Sequence, residues 1–90
     1  MKISEVKNKP YTKGKFKGMS ARKVTCCDNG YTLDICETLG SDEIALVFSS
    51  SFICTVKSFD SGVDIAKSLF DKFKKPDYLG MVKFCGGLSL

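Results

Sequence analysis

Apolar and polar side chains alternate through residues 22–37, and the alternation pivots on one dipeptide. Asn29-Gly30 is the pair favoured in a two-residue type I′ turn, because both positions need a positive φ. Folding the chain there sets Asp28 against Tyr31, Cys26 against Leu33 and Val24 against Ile35. The clearly apolar side chains then share one face, and Thr25, Cys27, Thr32, Asp34 and Cys36 share the other. A slip of one residue would mix the two sets. Residues 22–28 and 31–37 are therefore expected to be paired strands.

A second apolar doublet follows. Residues 43–48 read Glu-Ile-Ala-Leu-Val-Phe and residues 52–57 read Phe-Ile-Cys-Thr-Val-Lys. A three-residue loop at 49–51 pairs Phe48 with Phe52, Leu46 with Cys54 and Ile44 with Val56. Such loops usually place glycine in the left-handed position, and none is present. A helix beginning near Ser41 competes for 42–48, but the β-rich composition favours a strand. Beyond it, Ile65, Ala66, Leu69, Phe70 and Phe73 form one stripe at helical spacing. Ser61 and Asp64 resemble a capping box, lysines at 72, 74 and 75 suit the negative end of the helix dipole, and Pro76 stops the helix. A last strand is expected at 79–85, ending at Gly86-Gly87.

These elements predict an α+β fold, with an antiparallel β-sheet of two hairpins plus a C-terminal strand packed against one amphipathic helix. Pro10, Gly14 and Gly18 break up the start of the chain. Residues 1–20 are thus expected to be a basic N-terminal arm or short strand, and residues 21–90 a single α+β domain. At 90 residues the chain makes one domain. It buries about 60–65 % of its unfolded surface, which leaves little room for a deep pocket.

Charge divides the molecule. Residues 1–23 hold Lys2, Lys7, Lys9, Lys13, Lys15, Lys17, Arg22 and Lys23 against Glu5 alone, within a net charge of +4 for the whole chain. Residues 28–43 carry Asp28, Asp34, Glu37, Asp42 and Glu43 with no base. Each end offers a candidate binding set. In the basic arm, Lys9, Lys13, Lys15, Lys17 and Arg22 can neutralise phosphates while Tyr11 and Phe16 stack on unpaired bases. In the acidic stretch, Asp34, Glu37, Asp42 and Glu43 can stand in for phosphates and compete with nucleic acid for a basic groove. The plain alternative for both sets is a solvated surface.

Candidate chemistry is sparse. There is no histidine, which removes imidazole-based nucleophile systems and the common Cys/His zinc modules. The five cysteines are an odd number without a C-x-x-C clamp. In the first hairpin's register Cys27 and Cys36 lie roughly 13 Å apart, too far for a disulfide. Free thiols, no metal, no cofactor and no catalytic residues are expected. No apolar run is long enough to span a bilayer, and the N-terminal residues lack the apolar segment of a signal peptide. A cytoplasmic protein is expected, in the host cell cytosol if its source is a virus.

A short basic start, an antiparallel meander, an amphipathic helix opening at Phe59-Asp60-Ser61-Gly62 and a closing strand after Pro76-Asp77-Tyr78 are similar in outline to small phage proteins, among them anti-CRISPR proteins. The resemblance implies a non-enzymatic inhibitor that acts by stoichiometric protein–protein contact with a host defence complex, either a protein or a ribonucleoprotein. The alternative, carried by the charge pattern, is a small basic nucleic-acid-binding protein that uses the lysine-rich arm.

Overall fold

The computed structural model describes residues 1–41 and 43–87. Five strands, β1 (Lys2–Lys7), β2 (Arg22–Asp28), β3 (Tyr31–Glu37), β4 (Ile44–Phe48) and β5 (Ser51–Val56), form one sheet. Each pairs antiparallel with its chain neighbour, so the order across the sheet is that of the sequence. Two helices follow, α1 (Phe59–Lys72) and α2 (Tyr78–Gly86). The fold is α+β with an antiparallel sheet.

The first hairpin has the expected register, with Asn29 at φ 53° and Gly30 at φ 82°. The second reaches the expected pairs Leu46–Cys54 and Ile44–Val56 by a different route. Its turn has two residues, Ser49 and Ser50, both at positive φ, so Phe48 faces Ser51 and Val47 faces Phe52. A bulge then shifts the register between Leu46 and Val47, and the extra residue, Ile53, is buried. A two-residue turn with this twist matches the strands better than the three-residue loop expected, and the bulge absorbs the mismatch.

The C-terminal segment differs from expectation. Residues 79–85 belong to helix α2 rather than to a strand, so there are two helices among the described residues and the fifth strand is β1. Asp77 supplies the reason: its side chain accepts a hydrogen bond from the backbone N–H of Gly80 at 3.1 Å, capping the first turn. Met81 and Cys85, four residues apart, are both fully buried, and Tyr78 donates a hydrogen bond to the Phe52 carbonyl on β5. Helix α1 also begins earlier than expected. Ser58, not Ser61, is the N-cap, accepting from the Ser61 backbone N–H at 3.0 Å.

Val24, Cys26, Leu33, Ile35, Leu46, Leu69 and Phe70 are buried between sheet and helices, joined by Ala66, Met81 and Cys85. Gly62 lets α1 lie close on β3, since a Cβ there would sit 3.0 Å from the Ile35 side chain. The first hairpin also closes the end of α1. Asn29 Nδ2 donates to the Phe70 carbonyl at 2.8 Å, and the Tyr31 hydroxyl donates to the Phe73 carbonyl at 2.5 Å. These occupy carbonyls that a helix end leaves without partners. Strand β1 extends the sheet beyond the helices, which leaves Ile3 47 % exposed opposite buried Cys26.

Candidate functional site

The basic stretch is an ordered loop, residues 8–21, that joins β1 to β2. Its base is closed by Asn8 Nδ2 donating to the Ala21 carbonyl at 2.7 Å. Inside it, Tyr11 and Gly18–Met19 run side by side. The Tyr11 N–H donates to Met19 O at 2.9 Å, and Gly18 N–H donates to Tyr11 O at 2.9 Å. A tight turn at the tip has Lys17 N–H donating to Gly14 O at 3.2 Å, and Met19 N–H donates to Phe16 O at 3.0 Å. Gly14 and Gly18 both lie at φ +83°, which the chain reversals there require. The loop is therefore a compact Ω-type structure held by its own main chain.

Phe16 docks it on the body of the protein. Its ring is half-buried against Gly40, where a Cβ would come within 2.5 Å of the ring. Gly40 lies at φ +84°, so both the space and the backbone call for glycine. Tyr11 sits 6.5 Å from Phe16, ring centre to ring centre, tilted by 49°. It remains 51 % exposed. Lys15 Nζ lies 5.1 Å from the centre of the Phe16 ring, a cation–π distance. Lys9, Lys13, Lys15 and Lys17 are all exposed, and within the described residues none of them forms an ion pair. Lys17 stands across the loop from Tyr11 in an isolated bridge.

Arg22 does not join this group. Its Nε donates to Glu5 Oε1 at 2.6 Å and its guanidinium lies 4.2 Å over the Phe59 ring. Its backbone N–H donates to Glu37 Oε1 at 2.6 Å. Arg22 thus ties β1, β2 and the start of α1 together.

The acidic candidates are spread out. Asp34 is half-buried on the sheet face away from the helices, where it accepts a hydrogen bond from Thr25 Oγ1 at 2.7 Å. Glu37 is three residues further along the same strand, so it belongs to the opposite face, and it is engaged with Arg22. Glu43 is exposed in the loop before β4, its N–H donating to Ser41 Oγ at 3.1 Å. Asp42 lies outside the described residues. No single acidic face unites Asp34, Glu37 and Glu43. The sheet face that carries Asp34 presents Thr25, Cys27, Thr32, Ala45 and Val47, with Phe52 at its edge.

Four thiols, Cys26, Cys36, Cys54 and Cys85, are poor nucleophiles by environment. Burial pushes Cys26, Cys36 and Cys54 above the ordinary thiol range, with the Asp34 charge adding to the effect at Cys26 and Cys36. Burial takes Cys85 up to about 12, helped by its neighbour Cys54, with which it shares a hydrogen bond. Thiols held protonated in this way do not attack electrophiles at neutral pH. Among the described residues no cluster of three or more Cys, Asp or Glu is placed to hold a metal ion. Nor is any helix among them long and apolar enough to cross a membrane.

No protein-family model, curated protein or solved structure matches this chain.

Proposed function

We propose that this protein works by stoichiometric binding, without chemistry of its own, and that the lysine loop at residues 8–21 is its contact with a phosphate-bearing partner. The observation that carries the reading is the contrast between the two charge sets. Four exposed lysines share one ordered loop, whereas the acids are divided between sheet faces and partly engaged in the fold. A preordered cationic loop loses little conformational entropy when it meets a polyanion. Lysine suits this task, since it neutralises phosphate as a point charge without needing fixed geometry.

The partner is a nucleic acid, free or as part of a ribonucleoprotein. The inhibitor reading implied by the outline resemblance fits the second case, because a host defence complex built on RNA presents the same phosphates. The five free cysteines suit a reducing cytosol as the place of action.

Salt dependence tests the proposal. Four phosphate contacts give a slope of log K against log salt of about −3 on a single strand and nearer −4 on a duplex. Changing Lys13, Lys15 and Lys17 together to alanine should flatten the slope to about −1 and weaken binding at low salt. Affinity that is indifferent to salt, or to the triple change, would show that the contact lies elsewhere. A pull-down from bacterial lysate with and without nuclease separates the two forms of partner. Proteins lost on nuclease treatment are reached through nucleic acid, and proteins retained are held by direct contact.

A further inference from the structure

We infer that the loop is built for single-stranded nucleic acid, with an unpaired base stacking on Tyr11. The inference rests on the phosphate-contact reading above and adds the class of strand that the site accepts. Tyr11 is held at both of its backbone polar groups: its N–H donates to Met19 O and its carbonyl accepts from the Gly18 N–H, each at 2.9 Å. Its side chain nevertheless stays 51 % exposed. A large ring that is fixed at its root and open at its surface is preorganised to receive a flat apolar partner.

Phe16 does not fill that role. At 6.5 Å and 49° it approaches Tyr11 obliquely, and its own ring is committed to Gly40 and to Lys15. The positions around Tyr11 are cationic. Lys9 and Lys13 flank it two residues away on either side, and Lys17 stands across the loop from it. Aromatic stacking with neighbouring lysines is the combination used on unpaired strands, where each base offers a π-face and each linkage a phosphate. In a duplex the base faces are stacked on one another, so a duplex offers the loop its phosphates only.

The test uses fluorescence anisotropy with a labelled oligothymidylate and a duplex of equal length, each titrated with the full-length protein. Tyr11→Leu should weaken single-strand binding by roughly 5- to 150-fold, the range for loss of one base–aromatic stack. Duplex binding and the salt slope should not change. Tyr11→Phe should bind the single strand as the parent does, which separates stacking from the hydroxyl. Thermal melts of both variants should match the parent and exclude misfolding. Unchanged single-strand affinity in Tyr11→Leu, with the lysine triple variant still impaired, would overturn the stacking inference and leave the phosphate contact standing. Absence of salt-dependent binding to either probe by the parent protein would overturn both.

Discussion

Replacing Asn29 with glycine isolates one of the two hydrogen bonds that close helix α1. Asparagine serves two purposes at this position. It takes the left-handed backbone of the turn, at φ 53°, and its amide donates to the Phe70 carbonyl at 2.8 Å. Glycine accepts the same backbone without strain, so Asn29→Gly should keep the turn and delete the amide contact. A net hydrogen bond of this type contributes about 0.5–1.5 kcal/mol. Tyr31→Phe deletes the companion bond to the Phe73 carbonyl and keeps the ring, which packs 4.9 Å from Phe70 and edge-on to Phe48 at 6.0 Å. Its loss should be of similar size. In a domain of this length each kcal/mol lowers Tm by about 4–8 °C. Urea titration and a thermal melt of the two single variants and the double variant supply the measurement. Because both bonds hold the same helix end, the double variant should lose less than the sum of the singles. An Asn29→Gly protein as stable as the parent would mean that the α1 carbonyls gain nothing over water, and the closing role of the hairpin would fall.

Gly62→Ala sets two terms against each other: a gain of about 1 kcal/mol in helix propensity and an overpacking cost of about 1–3 kcal/mol. Ile35 is fully buried and β-branched, and it already lies 3.0 Å from the added Cβ, so the variant should lose about 1 kcal/mol in denaturant titration; a gain would show that the sheet yields there. Stability should also fall above about pH 9. The Cys85 thiol, ordinarily at 9.0, is pushed up to about 12 in the folded protein, so between those values the unfolded chain releases a proton that the folded chain retains. Below pH 9 both states hold it and the contribution is level. Cys85→Ala should make the alkaline decline shallower, and an unchanged slope would place its cause elsewhere.

The register of the first hairpin, and that of the second only from Leu46–Cys54 to Ile44–Val56, is legible because a period of two leaves few alternatives once a turn is placed. Asn29-Gly30 supplied such a turn. Ser49-Ser50 did not announce itself, since serine is not a usual left-handed residue, and the bulge at Ile53 offset the resulting error before Leu46. Residues 79–85 read as a strand because Val and Phe favour strands and Gly80 interrupts the run, yet they belong to helix α2. Its signal lay in Tyr78, Met81 and Cys85, spaced at three and four, and in Asp77 as a cap. The candidate sites divide in the same way. Exposed lysines are visible in any basic stretch, but the loop's fixed shape depends on Phe16 meeting Gly40, a contact 24 positions away that no local pattern encodes. The acidic set was a grouping by sequence proximity. Strand parity alone places Asp34 and Glu37, three residues apart, on opposite faces.

The order of elements along the chain has a consequence for synthesis. Every strand after the first pairs with its immediate predecessor, so the meander can zip up as it leaves the ribosome; two of its turns are only two residues long, and its longest connection, residues 8–21, is braced by its own main-chain hydrogen bonds. The helices that cover its apolar face are translated only after all five strands, from Phe59 onward. Until they emerge, Leu33, Ile35 and Leu46 face water on a sheet whose β5 edge has not yet received α2. A nascent chain in that state is adhesive, and chaperones or other nascent chains are its natural partners. Arrival of Leu69 and Phe70 ends that exposure, which makes the passage from β5 to α1 the step on which the yield of native protein turns.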